Sequence, residues 1–217
     1  MPKRPCGEFL RKNKRSVAGM KIYHVLIIFV ALLAIMSSLV STEKENPKIL
    51  IRTELGEIKV EIYQDKAPIT ASNFLRYVDE NRYGGAYFYR VVRLDNQPQN
   101  EIKIEVIQGG LRFTENQSPF EAIEHETTAI TGILHKDGVI SMARNKPGTA
   151  SSEFFICIND QPELDFEGKR NPDGQGFAAF GRVVSGMELV RNIQKLPADD
   201  QQILLTKVKI LSIERIS

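Results

Sequence analysis

SMARNKPGTASSEFFICIND, residues 141–160, sets two adjacent phenylalanines directly after a polar loop. In an extended strand neighbouring side chains leave opposite faces, so Phe154 and Phe155 cannot share one core, and one of them needs another partner. Bond-breaking chemistry has little to work with elsewhere. His24, His125 and His135 show no metal-ligand spacing, and no Ser–His–Asp set or His cluster stands out. Cys157 lies in an apolar run and reads as a small buried hydrophobe; with only Cys6 besides, no disulfide framework follows. Asp165, Glu167 and Asp173 could be read as calcium ligands, but they fall in a turn-rich stretch containing NPDG. No metal and no cofactor is expected. Arg90, within FYRVV, offers a permanent charge and a rigid fork of donors. By itself it reads as a surface strand arginine.

The elements that would position these residues follow a polar, basic start. Residues 1–21 carry seven Lys or Arg against the single acid Glu8, whereas the whole chain of 217 residues is nearly balanced, 29 basic against 27 acidic. That balance gives no nucleic-acid footprint. Residues 22–40, IYHVLIIFVALLAIMSSLV, hold no charged side chain, and as a helix they would span about 28 Å, close to the hydrocarbon thickness. With the basic flank on the N-terminal side, the expected arrangement is a single-pass anchor with a cytoplasmic tail at 1–21 and an exported C-terminal portion. A cleaved signal peptide releasing a periplasmic protein is the alternative. Residues 41–47 read as a polar linker.

Beyond the linker the pattern is mostly β. Strands are predicted at 48–53, 57–63, 86–94, 102–108, 138–143, 153–158, 177–184 and 204–216. In the second of these Ile58, Val60 and Ile62 alternate with Lys59 and Glu61, as in a half-buried strand. Residues 67–80 switch period: Ala71, Phe74, Leu75 and Val78 fall at i, i+3, i+4 and i+7, and Pro68 suits a first turn. A second helix is predicted at 185–193, opened by a capping box of Ser185 and Glu188. About eight strands with one early and one late helix predict a single domain over 48–217: a closed β-barrel capped by two helices, preceded by the transmembrane segment.

FYRVV at 88–92, IQGG at 107–110, SMA at 141–143, SSEFFI at 151–156 and GFAAFGRVVSGMELV at 176–190 resemble, in order and spacing, the cyclophilin-type peptidyl-prolyl cis-trans isomerases. The resemblance implies an eight-stranded antiparallel barrel, a groove on its outer face and an apolar socket there for a proline ring. It puts Phe154 in the core and Phe155 in the groove. It makes Arg90 and Gln108 the catalytic pair. Val106, Phe155 and Leu164 would line the socket, with Ala143, Arg144, Glu153 and Phe177 as further substrate contacts. The expected partners are proline-containing polypeptides, met by a monomer and assisted in folding outside the cytoplasm. A weakly catalytic peptide-holding module of the same fold is the alternative.

Four positions depart from the family's pattern. Glu153 replaces a Gln, Glu105 falls where a socket Phe is expected, Glu163 takes an aromatic's place, and Phe177 stands for a His. RLDNQPQNE (93–101) and FEGKRNPDGQG (166–176) are insertions. Three glutamates near one arginine leave three readings: a carboxylate competes for Arg90, the groove favours Lys or Arg beside proline, or the acids are merely solvated and point away.

Overall fold

In the computed structural model of the chain, residues 45–115 and 119–216 are described. The predicted membrane segment 22–40 and its basic tail lie outside them. Among the described residues no helix is long and apolar enough to cross a membrane.

Eight strands close into a barrel: β1 (Lys48–Thr53), β2 (Gly56–Ile62), β3 (Tyr87–Val92), β4 (Val106–Gly110), β5 (Val139–Met142), β6 (Phe154–Cys157), β7 (Ala178–Ser185) and β8 (Ile203–Ile216). Their order round the barrel is β1-β2-β7-β5-β6-β4-β3-β8, with every neighbouring pair antiparallel. Closure leaves no sheet edge to protect. The alternation in β2 works as the pattern implies: Ile58, Val60 and Ile62 are fully buried, and Val60 and Ile58 face Ile49 and Ile51 of β1.

Helix α1 (Pro68–Asp79) buries Ala71, Phe74, Leu75 and Val78. It has no local side-chain cap; Glu126, 56 and 57 residues on, accepts the free backbone N–H groups of Thr70 at 2.7 Å and Ile69 at 3.2 Å. A short helix, α2 (Thr128–Thr131), and a 3₁₀ turn (Pro162–Leu164) occupy stretches that carry no repeating pattern long enough to read. Helix α3 (Met187–Gln194) differs from its predicted start. Ser185 is the last residue of β7, paired with Lys59, and the helix begins from Gly186 at φ 96° with no side-chain cap. A β-carbon on Gly186 would lie 2.5 Å from the Glu57 carbonyl. The chain therefore enters α3 through a left-handed glycine pressed against β2, and the capping box does not form.

The strand predicted at 102–108 is displaced to 106–110. Buried Gln97, from the 93–101 insertion, donates to the Ile104 carbonyl at 2.8 Å and accepts its N–H at 3.3 Å. One side-chain amide takes the place of a strand partner, so residues 102–105 run as a tethered loop.

Candidate active site

The barrel register sorts the two phenylalanines. Phe154 pairs with Gly109 and Met142, and its ring is edge-on to Phe74, Tyr83 and Phe88 at 5.5–5.8 Å in the core. Phe155 pairs with Gln108 and Ser141, and Gln108 pairs with Arg90. Arg90, Gln108 and Phe155 thus form one row across β3, β4 and β6, on the face turned away from Phe154.

A bulge in β3 completes that row. The register shifts between Phe88 and Arg90 against both β4 and β8. Without it, strict alternation would send Tyr89 and Arg90 to opposite faces. With it, Phe88 and Val91 stay in the core while Tyr89 and Arg90 both line the outer groove. Re-aiming a side chain beside a site is a recurrent use of bulges.

The groove encloses about 600 Å³, and all nine residues predicted for the site line it. Its apolar end is a cluster of Ile104, Val106, Phe155 and Leu164, with Ala143 and Phe177 against it. Phe177 stands edge-on to Phe155 at 5.2 Å. Beneath Phe155 lies the buried His135 ring, near-parallel at 15° and 6.0 Å, fixed by Asp165 at Nδ1 (2.7 Å) and the Ser141 hydroxyl at Nε2 (3.0 Å). Next to this socket Arg90 donates from Nη1 to Gln108 Oε1 at 2.9 Å and from Nη2 to Gln202 Oε1. Burial lowers the Arg90 guanidinium's pKa from its usual value, yet an arginine stays charged at any working pH.

The family described as cyclophilin type peptidyl-prolyl cis-trans isomerase/CLD matches residues 48–215. The chain belongs to that family. A peptidyl-prolyl cis-trans isomerase of Acinetobacter baylyi is 33% identical over 174 residues, 78% of this chain and 85% of the relative. The human peptidyl-prolyl cis-trans isomerase-like 3 is 29% identical over 157 residues, 70% of this chain and 85% of its own. A Cryptosporidium parvum cyclophilin solved in the presence of the dipeptide Ala-Pro shares the fold, with a TM-score of 0.63 at 21% identity over 78% of this chain and 99% of that one. This cyclophilin is therefore a peptidyl-prolyl cis-trans isomerase, whose substrates are proline-containing peptides.

Its departures from the family resolve one by one. Glu105 turns away from the socket and accepts a hydrogen bond from Asn159 at 2.9 Å; Ile104 fills the socket instead. Glu163 accepts the Lys169 N–H at 2.8 Å in an exposed hydrogen bond and does not line the groove. Glu153 accepts from the Leu111 N–H at 2.8 Å and the Tyr89 hydroxyl at 2.7 Å. None of the three pairs with Arg90, so of the three readings the competition for the guanidinium does not occur.

Arg144 lines the groove, but its side chain, only 1% exposed, faces the 166–176 insertion. It binds both Asp173 oxygens at 2.8 Å and the Gly176 carbonyl, and its guanidinium lies 5.2 Å from the Phe177 ring. Asp173 is thus committed to Arg144 and Asp165 to His135, and among the described residues no cluster of three His, Cys, Asp or Glu is placed to hold a metal. Arg144 holds the Asp173 carboxyl down to about 2. A carboxyl depressed by folding adds stability above its unfolded pKa of about 3.9 and loses that contribution as the pH falls through the folded value. The Phe177 ring signals are therefore expected to shift between about pH 4 and 2 as the insertion detaches, and Asp173→Asn should abolish that step in an NMR titration.

Three further residues complete the site, and the sequence marks them weakly or not at all. Ile104 shares its face with Val106 in the alternation Ile-Lys-Ile-Glu-Val, and only the preceding insertion obscured it. Tyr89 reaches the groove through a bulge that no local pattern marks. Gln202 lies in a loop, held at φ 69° with its amide donating to the Asn96 carbonyl at 3.0 Å.

Proposed function

We propose that Arg90 and Gln108 catalyse rotation about X–Pro bonds whose proline ring rests in the socket of Ile104, Val106, Phe155 and Leu164. One observation carries this reading: a guanidinium clamped from two sides, directly beside a deep apolar hollow. Imide rotation breaks no σ bond. The barrier of about 18–20 kcal/mol is amide resonance. As the bond twists, the proline nitrogen regains its lone pair and becomes an acceptor, which a fixed donor can meet. Such a charge-assisted bond contributes roughly 1.5–3 kcal/mol, whereas a 10⁵-fold acceleration needs about 7 kcal/mol. The difference falls to the socket, which holds the ring while the rest of the bond turns, and to exclusion of water around Arg90. Ala143 and Arg144 supply backbone groups along the rim, Phe177 walls the socket, and Glu153 stands at the far end of the groove. Catalysed cis–trans exchange of an Ala-Pro tetrapeptide by the full chain tests this; no acceleration would leave a peptide-holding module.

The cellular reading is that residues 22–40 anchor a monomer by a single span, with the tail in the cytoplasm and the barrel outside, where it assists folding of exported proteins. Its support is the uncharged apolar run behind a basic flank. Lys209 lies on an exposed position of β8, and Cys157 is buried. A Cys6→Ser, Lys209→Cys chain should react with a membrane-impermeant maleimide in intact cells. Labelling only after permeabilisation would reverse the orientation.

A further inference from the structure

We propose that Glu153 and Tyr89 are positioning residues of the isomerase: together they fix which end of the Gln108 amide faces Arg90. The inference rests on the assignment of Arg90 and Gln108 as the catalytic pair.

The observation is an unbroken, one-directional chain of hydrogen bonds. Arg90 Nη1 donates to Gln108 Oε1 at 2.9 Å, Gln108 Nε2 donates to the Tyr89 oxygen at 2.7 Å, and the Tyr89 hydroxyl donates to Glu153 Oε2 at 2.7 Å. Each direction follows from the chemistry of the groups at the two ends. A guanidinium can only donate, and an ionised carboxylate can only accept. Glu153 therefore claims the single phenolic proton. The Tyr89 oxygen must then accept, so Gln108 must present its NH₂ to Tyr89 and its carbonyl to Arg90. Nothing else on the Gln108 side chain distinguishes its two ends by shape.

The carboxylate is itself held. Its second oxygen accepts from the Leu111 N–H at 2.8 Å and the Ser152 hydroxyl at 3.1 Å. It lies over Gly110, whose φ is 147° and where any β-carbon would come within 2.5 Å of it. Tyr89 is buried, and burial with the Glu153 charge raises its phenol pKa far above the ordinary value, keeping the proton on the ring oxygen. The other charged or titratable groups around Glu153 are Arg112 beyond β4, at the same end of the groove, and Tyr77 and Tyr83 on and after α1.

Glutamine at 153 would reverse the chain. With its oxygen kept on the Leu111 N–H, its NH₂ would face Tyr89, the phenolic proton would turn to Gln108, and the Gln108 NH₂ would meet Arg90 donor to donor.

The test uses the full chain and an Ala-Pro tetrapeptide, with kcat and KM measured separately at neutral pH and circular dichroism checking that the barrel is intact. Glu153→Gln and Tyr89→Phe should each lower kcat about tenfold and leave KM within about twofold. The double variant should be no worse than either single one. If Glu153→Gln does not fold, the kcat-against-KM split of Tyr89→Phe decides alone. Wild-type kcat in the variants, or additive losses in the double, would overturn the proposal; an inactive Arg90→Ala control would then leave the isomerase reading standing. A wild-type chain without catalysis would remove both.

Discussion

Arg90→Ala is expected to lower catalysed X–Pro isomerisation about 10²–10³-fold, the usual loss on deleting one preorganised donor to a transition state, with the far-UV circular dichroism unchanged. The barrel should survive because Arg90 contributes nothing to the core: its partners are the Gln108 and Gln202 side chains in the groove. The loss should appear mainly in kcat, since the socket that binds the proline ring remains. Arg90→Lys should recover little. A lysine keeps the charge but has no planar fork to bind Gln108 and Gln202 together.

The two phenylalanines should separate stability from function. Phe154 is fully buried among Phe74, Tyr83 and Phe88, so Phe154→Ala removes a large ring from a close-packed interior. It should destabilise the barrel by about 3–5 kcal/mol and lower the Tm by roughly 6–20 °C, while the remaining folded molecules still turn over substrate. Phe155 is nearly as buried, at 4% exposure, but opens on the groove. Water can enter the space left by Phe155→Ala, so only the transfer contribution is lost, about 1.5–3 kcal/mol. Its larger effect should be on KM, because the floor of the proline socket is gone. Thermal denaturation and peptide kinetics on the same pair of variants check both statements. Equal Tm losses with equal kinetic losses would mean that the two side chains do not face opposite sides of β6.

What the sequence makes legible is whatever repeats locally. The alternation of Ile58, Val60 and Ile62 announces β2, and the helical spacing of Ala71, Phe74, Leu75 and Val78 announces α1. The doubled phenylalanine announces two environments, since neighbours on a strand face opposite sides, and the family resemblance makes the second one a groove. The site residues follow from short motifs in a fixed order. Features that depend on distant partners stay hidden. Gln97 substitutes for a strand at Ile104, and Glu126 caps α1 across the chain. Ser185 and Glu188 meet the local requirement for a capping box, yet the approach of Gly186 to Glu57 decides the turn. The bulge at Tyr89 belongs to this class, and with it the link from Glu153 to Arg90. Glu153 read from the sequence is a charge in the wrong place; 64 residues separate it from the tyrosine that gives it a partner.

The most direct measurement is two-dimensional exchange NMR on an Ala-Pro peptide with a small molar fraction of the full chain. Cis and trans signals should exchange in well under a second, against roughly 10–100 s for the free peptide, and the proline ring protons should show contacts to Phe155 and Ile104. A peptide that makes those contacts while its two isomers still exchange at the uncatalysed rate would contradict the account: the socket would bind proline, and Arg90 would not help it turn.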